Sequence, residues 1–242
     1  MSSLPGAAYS RYRTCRQSRV AHAHGLTVIM DNTWASPLYF KPFEHGVDVS
    51  IQAATKYVVG HSDATLGTIT CTGQAWPALS ATHRNLGQAA AADDIYLALR
   101  GLRTIAVRLA THHRNGLALA RFLAARPEVE HVYHPALESD PGHALWKRDF
   151  SGASGLFSFR LKPWVTKPAL ASMLDGFKYF GMGYSWGGFE SLAAPARLNT
   201  YRPHIKQDDR WIVRIHAGLE NLQDLLEDLE AGLERLHVHK NE

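Results

Sequence analysis

Two short apolar-rich runs, residues 26–30 and 47–52, stop abruptly at polar side chains: Asp31-Asn32-Thr33 after the first and Thr55-Lys56 after the second. Runs of this kind read as buried strands of an α/β fold, and residues 64–70 read as a third. Residues 89–126 are rich in Ala, Leu and Arg and hold no proline, so they predict one long helix or two abutting ones, with Gly101 and Gly116 as candidate breaks. Residues 129–133 resemble a strand that Pro135 closes. Residues 156–161 alternate, with Phe157, Phe159 and Leu161 on one face, as a half-buried antiparallel strand does. Residues 211–216 alternate in the same way, setting Trp211, Val213 and Ile215 opposite Ile212, Arg214 and His216. Leu222, Leu225, Leu226, Leu229 and Leu233 then recur at helical spacing, an amphipathic helix suited to covering a sheet. The order of these elements predicts an α/β protein: a mainly parallel sheet domain joined to a smaller C-terminal α/β domain.

Residues 1–19 fit neither part. No acidic residue precedes Asp31, and Arg11, Arg13, Arg16 and Arg19 stand among serines and tyrosines. An organellar transit peptide has that composition, whereas a secretory signal would need an apolar stretch that is missing. Lacking periodicity, the segment reads as foreign to the fold, with pattern beginning near Val20. The expected organisation is residues 1–19 unpatterned, 20–126 a partial large domain with linking helices, and 127–242 a small domain.

At 242 residues, 45% hydrophobic and 20% charged, the chain can bury a sizeable core as an ordinary globular protein. Its net charge of +4 is modest. Arg100, Arg103, Arg108, Arg114, Arg121 and Arg126 recur through the helical stretch. With no nucleic-acid motif beside them, they read as a solvated helix face, and neither nucleic acid nor a membrane is expected as a partner. Cys15 and Cys71 have no metal or redox spacing, and no apolar run has the length of a membrane span, so a cytoplasmic setting is expected. No metal site is expected: His112 and His113 are adjacent and cannot both face one ion from a regular helix.

In open α/β sheets, ligands sit beyond the carboxyl ends of parallel strands. Asp31 and Lys56 would therefore meet in one crevice as a carboxylate and an amine. Pyridoxal 5'-phosphate chemistry requires that pair, an amine for the Schiff base and an acid to keep the pyridine nitrogen protonated. Singly, neither residue says much. An Asp after a strand is commonly a cap or turn former, and a lone lysine is commonly solvated.

The ordered set Asp31-Asn-Thr-Trp34, Ala54-Thr-Lys56-Tyr57, Gly60-His-Ser-Asp63 and Ser185-Trp-Gly-Gly188 resembles the Cys/Met metabolism family of pyridoxal phosphate enzymes, and within it the β-lyase branch. The resemblance spans residue 20 to the C-terminal helix and implies a fold-type I transferase-like architecture. It implies that Lys56 is the Schiff-base lysine and moves the substrate α-proton, that Asp31 pairs with the ring nitrogen, and that Thr55 offers its hydroxyl to the phosphate. Many relatives have Ser where this chain has Ala53, so one hydroxyl is absent there. Arg214 is implied as the clamp on the substrate carboxylate, a bidentate task for which lysine is a poor substitute. A strand-face arginine in a surface salt bridge is its plain alternative. Tyr184, grouped with Lys56 as catalytic, and Ser185 would line the substrate pocket. Trp186 separates the branches, since γ-acting relatives usually carry leucine there; it could equally fill the core beside a turn. Gly187 and Gly188 serve that turn, Gly181 and Gly183 lack dinucleotide spacing, and His61 positions the segment after Lys56.

The activity implied is carbon–sulfur β-elimination from L-cystathionine, giving homocysteine, pyruvate and ammonia, with cysteine desulfhydration as a side activity. γ-Elimination or γ-replacement is the alternative within the family, and a non-catalytic remnant the alternative outside it. A homo-oligomer, a dimer of dimers, is also implied. The family's Gly-Met phosphate cradle, ring-stacking tyrosine and Tyr-x-Arg arm have no counterpart before Asp31. The expectation is therefore a truncated chain with little activity of its own.

Overall fold

The computed structural model describes residues 14–198 and 208–238, with side-chain surroundings for 17–196 and 210–238. Arg11 and Arg13 of the expected unpatterned segment lie outside the described residues. Its end does not remain unpatterned: Thr14–Ala23 form helix α1, in which Ser18 is buried and would meet a Cβ added at Gly46. Two compact units follow from the contacts, one made of 1–109 with 141–153 and the other of 110–140 with 154–242.

The first unit holds a three-stranded sheet of β1 (Ile29–Asp31), β2 (Val49–Ala53) and β3 (Gly67–Cys71), in that order. Strands β1 and β2 run parallel, with Asp31 level with Ile51, and β3 returns antiparallel with Ile69 opposite Ile51. Parallel pairing sends both chain exits, after Asp31 and after Ala53, to the same edge of the sheet. Helix α2 (Ser36–Tyr39) follows β1, and α3 (Trp76–Asn85) follows β3. A short aromatic core forms where Phe40 stacks on Phe150 at 4.6 Å between centroids and Trp34 meets Phe150 edge-on at 6.2 Å. Phe150 follows α6 (His143–Asp149), and the Ser151 amide donates to the Tyr39 carbonyl. Those contacts draw 141–153 back into the first unit, so the units do not divide at 126/127.

The long helical stretch is α4 (Ala92–Leu102) and α5 (Ile105–Ala124), broken just after Gly101. Gly116 is no break. It lies inside α5 where an added Cβ would stand 3.1 Å from Gly155 Cα, so it permits a close backbone approach. Arg108 belongs with the first unit and the later turns of α5 with the second, which puts the division inside this helix.

The second unit is built on a five-stranded sheet in the order β4 (Val129–Tyr133), β5 (Leu156–Leu161), β8 (Asp208–His216), β7 (Leu192–Leu198), β6 (Gly181–Met182). All neighbours are antiparallel except β6 and β7. Leu119 and Leu123 of α5, Leu170 and Met173 of α7 (Lys167–Asp175), and Leu225, Leu229 and Leu233 of α8 (Leu222–Arg235) pack with Phe157, Phe159, Val213 and Ile215. Asn221 caps α8 by accepting the Gln223 amide at 2.8 Å. The half-buried reading of β5 and β8 needs correction, because Leu156, Ser158, Ile212 and His216 on the opposite faces are buried too. These are central strands, and alternation marks the wet side only where one face meets water.

One buried group makes the second unit acid-sensitive. His134 is fully buried, its Nδ1 accepts the Ala136 amide at 3.1 Å, and burial, with the charges of His113 and Arg121, pushes its pKa down from 6.5 to about 3. Folding therefore excludes a proton that the unfolded chain binds below 6.5. Stability is full above pH 6.5 and declines as pH falls toward 3, at up to about 1.4 kcal/mol per pH unit. We expect the urea midpoint of this unit to drop steeply between pH 6.5 and 4.5. His134→Asn, whose side-chain oxygen can accept the same amide without titrating, should flatten that slope. An unchanged slope would rule His134 out as the cause.

Candidate active site

Asp31 is the last residue of β1 and is half-buried. Its Oδ1 accepts both the Thr33 amide at 2.9 Å and the Thr33 hydroxyl at 2.6 Å. The Thr33 hydroxyl in turn accepts the Ala53 amide from the end of β2 at 2.8 Å. This chain of bonds ties the two strand exits together and saturates one carboxylate oxygen. Oδ2 accepts no hydrogen bond among the described residues, so it can take a further donor. Asn32 is buried beneath, its amide donating to the Ile51 carbonyl and its side chain to the Phe40 carbonyl.

Lys56 sits half-buried on the turn that leaves β2. The Lys56 amide donates to Ala53, the Val59 amide to Ala54 and the Gly60 amide to the Lys56 carbonyl, at 3.0, 2.8 and 2.8 Å. Gly60 closes the turn at φ +73°, in the left-handed region that favours glycine. His61 bonds the Val59 carbonyl through Nδ1 at 2.6 Å. Thr55 is committed locally: its hydroxyl donates to the Leu66 carbonyl at 3.2 Å and accepts the Leu66 amide at 2.9 Å. An anion at Thr55 would have to take over the longer of those two bonds. Ala53 contributes only backbone.

Beneath the turn lies Arg108, which departs from the solvated helix face expected of these arginines. Arg100, Arg103, Arg114 and Arg121 are exposed as expected, and Arg126 pairs with Glu230 at 3.0 Å, but Arg108 is only 5% exposed. Its guanidinium donates to the carbonyls of Tyr57 (2.8 Å), Val58 (3.3 Å) and Gly101 (2.7 Å) and to the Thr104 hydroxyl (3.0 Å). Burial lowers its pKa, yet arginine stays charged. Nothing in the helical periodicity distinguishes it from its solvated neighbours.

The second unit gathers the remaining residues. Arg214 lies half-buried on β8 between Ser158 of β5 and Ala194 of β7. Its Cζ stands 5.5 Å from the centre of the Tyr184 ring, and burial lowers its pKa while Tyr184 opposes that shift. Tyr184 is 70% exposed, with its hydroxyl donating to the Pro195 carbonyl at 3.3 Å. Ser185 is exposed and Trp186 half-buried. The turn after them is held from β8, because the Gly187 amide donates to His216 Nε2 at 3.0 Å, and Gly187 adopts φ +85°. Ser191 and Glu220 brace the same region: Glu220 accepts the Ser191 amide and hydroxyl at 2.6 and 2.7 Å, and the Ser191 hydroxyl accepts the Gly218 amide. His216, Ser191 and Glu220 were not singled out from sequence, since buried polar residues on central strands and loops have no periodic signature.

Chemically, the first unit offers an amine, a carboxylate with one unpledged oxygen and a hydroxyl at one sheet edge. That donor set suits a cofactor with a reactive carbonyl and a basic ring nitrogen. The second offers a guanidinium under an aromatic ring, which suits a carboxylate ligand.

The family described as Cys/Met metabolism PLP-dependent enzyme matches residues 15–234. The chain is 48% identical over 213 residues to cystathionine beta-lyase MetC of Escherichia coli, which covers 86% of the chain and 54% of that protein. It is 45% identical over 215 residues to the cystathionine beta-lyase of Haemophilus influenzae, covering 87% and 54%. Among solved structures, cystathionine gamma synthase from Xanthomonas oryzae in complex with cystathionine superposes with a TM-score of 0.86 at 34% identity, over 93% of this chain and 59% of that one. The chain spans about half the length of the curated relatives it matches.

Proposed function

Because the chain belongs to the Cys/Met metabolism family of pyridoxal phosphate-dependent enzymes, we propose that it carries the lysine, ring-acid and substrate-clamp portions of a carbon–sulfur β-lyase acting on L-cystathionine. The observation that carries the reading is the pairing at one sheet edge of Asp31, whose Oδ2 accepts no bond among the described residues, and the Lys56 turn. When bound, pyridoxal phosphate supplies an aldehyde for amines and a ring that accepts electrons.

Lys56 would hold the cofactor through its amine and, when that amine is free, would take and return the substrate α-proton. Asp31 Oδ2 holds the proton on the ring nitrogen, while Thr33 fixes the carboxylate. Thr55 meets the phosphate at the cost of its bond to Leu66. Arg214 clamps the substrate carboxylate beside Tyr184 and Ser185, and Trp186 favours loss of the sulfur group from the β-carbon. Homocysteine is the leaving group, and pyruvate and ammonia follow by hydrolysis. Cysteine desulfhydration obeys the same chemistry. A cytoplasmic homotetramer built as a dimer of dimers is the assembly we expect. Among the described residues, no helix is long and apolar enough to cross a membrane.

A γ-acting relative is the second reading, supported by the likeness to the Xanthomonas γ-synthase. Product identity separates the two. A chimera that joins this chain to the part of the E. coli lyase that it does not span should convert cystathionine mainly to homocysteine and pyruvate. Cysteine and 2-oxobutyrate as the main products would overturn the β-lyase reading.

A further inference from the structure

Arg108 carries a buried charge that no carboxylate among the described residues neutralises. All its partners are neutral: three main-chain carbonyls and one hydroxyl. Burying such a charge is costly, and a well-packed apolar side chain of similar volume would serve stability as well. The placement of its donors suggests what is gained. Two of the carbonyls belong to Tyr57 and Val58, the residues directly after Lys56. The other two acceptors, Gly101 and Thr104, lie where α4 gives way to α5.

The surrounding backbone is shaped to admit this arrangement. A Cβ at Gly60 would fall 1.9 Å from Arg108 Nη1, and one at Gly101 would fall 2.3 Å from the carbonyl oxygens of both Val58 and Val59. Turn, helix junction and guanidinium thus fit together with no spare room. A planar fork can hold successive carbonyls from fixed directions, whereas an ammonium is a single point with three rotatable donors.

We infer that Arg108 is a positioning residue for Lys56, fastening the two carbonyls after the lysine to the α4–α5 junction and so setting where the amine is presented. The inference rests on the reading of Lys56 as the amine that accepts the cofactor's aldehyde. Angular placement of a reacting group matters far more to its chemistry than to the stability of the fold, and a displacement of about 1 Å can cost about a hundredfold in rate.

The test compares the wild-type chain, Arg108→Lys and Phe150→Leu, the last weakening the same unit through its aromatic cluster. Each is treated with sub-stoichiometric pyridoxal phosphate, reduced with borohydride and mapped by peptide mass spectrometry from pH 6 to 10, with Lys147 as internal reference. Hydrogen exchange at the Val59 and Gly60 amides is followed in parallel. Arg108→Lys should lose about tenfold or more of the Lys56 label relative to Lys147, with its pH profile displaced, and should exchange those amides faster. Phe150→Leu should keep the wild-type profile. Equal Lys56 labelling in wild type and Arg108→Lys, or an equal loss in Phe150→Leu, overturns the inference. If wild type itself takes no label at Lys56, the functional reading has failed. Exchange then decides the role of Arg108, and unchanged rates at Val59 and Gly60 in Arg108→Lys overturn it.

Discussion

Lys56→Ala is expected to abolish specific pyridoxyl labelling and to reduce β-elimination in the chimeric enzyme to background. On the proposed reading, two separate functions are lost with one side chain. The amine that accepts the aldehyde disappears, and so does the group that takes and returns the α-proton. The acid–base part alone is worth about 10²–10⁴ in rate. Lys56→Arg should not rescue either function, since a guanidinium stays protonated and is a poor nucleophile. The fold should survive the change, because the turn is closed by the Ala53, Ala54 and Lys56 main-chain carbonyls, which alanine retains. Solvated lysines such as Lys41 provide the control for nonspecific modification. A specific adduct on another lysine in the wild-type chain, or retention of rapid elimination by Lys56→Ala, would remove Lys56 from its assigned place.

The placement of Asp31 and Lys56 at neighbouring strand exits was legible in the sequence because strand ends leave a visible mark. An apolar-rich run that stops at Asp31, and another that stops at Thr55-Lys56, place polar groups where parallel strands exit. The structure puts β1 and β2 side by side as that argument needs. Arg108 was not legible for the converse reason. Two of its partners are main-chain carbonyls about fifty positions away, and main-chain acceptors leave no trace in the residue alphabet. The same blindness explains His216 and Glu220, whose partners are amides of distant turns. Alternation misled at β8, where Ile212 and His216 are as buried as Val213 and Ile215. A central strand has no wet face for the pattern to report. The start of the fold was set too late because Thr14–Ala23 is a mostly polar helix, with little apolar periodicity to announce it. The aromatic pair Phe40 and Phe150 joins segments more than a hundred positions apart, and only the folded chain could bring it to light.

Asp31→Asn separates the electrostatic role of that residue from its structural one. Asparagine keeps an oxygen in the place of Oδ1, so the Thr33 amide and hydroxyl still have their acceptor, and Thr33 still receives the Ala53 amide. Stability should therefore change by less than about 1 kcal/mol, since a charged acceptor is exchanged for a neutral one at a half-buried site. At the position of Oδ2, however, the substitution sets an amide donor before the ring nitrogen, and an amide donor does not hold a proton on that nitrogen as a carboxylate does. We expect a fall in kcat of about 10²–10³, comparable with the removal of one preorganised electrostatic contact. The label at Lys56 should persist, because the amine is untouched. Asp31→Ala should cost more, releasing Thr33 and the β1–β2 edge together and lowering the urea midpoint as well. If Asp31→Asn turns over cystathionine in the chimera at the wild-type rate, the carboxylate serves only to anchor Thr33, and the ring acid must be sought elsewhere.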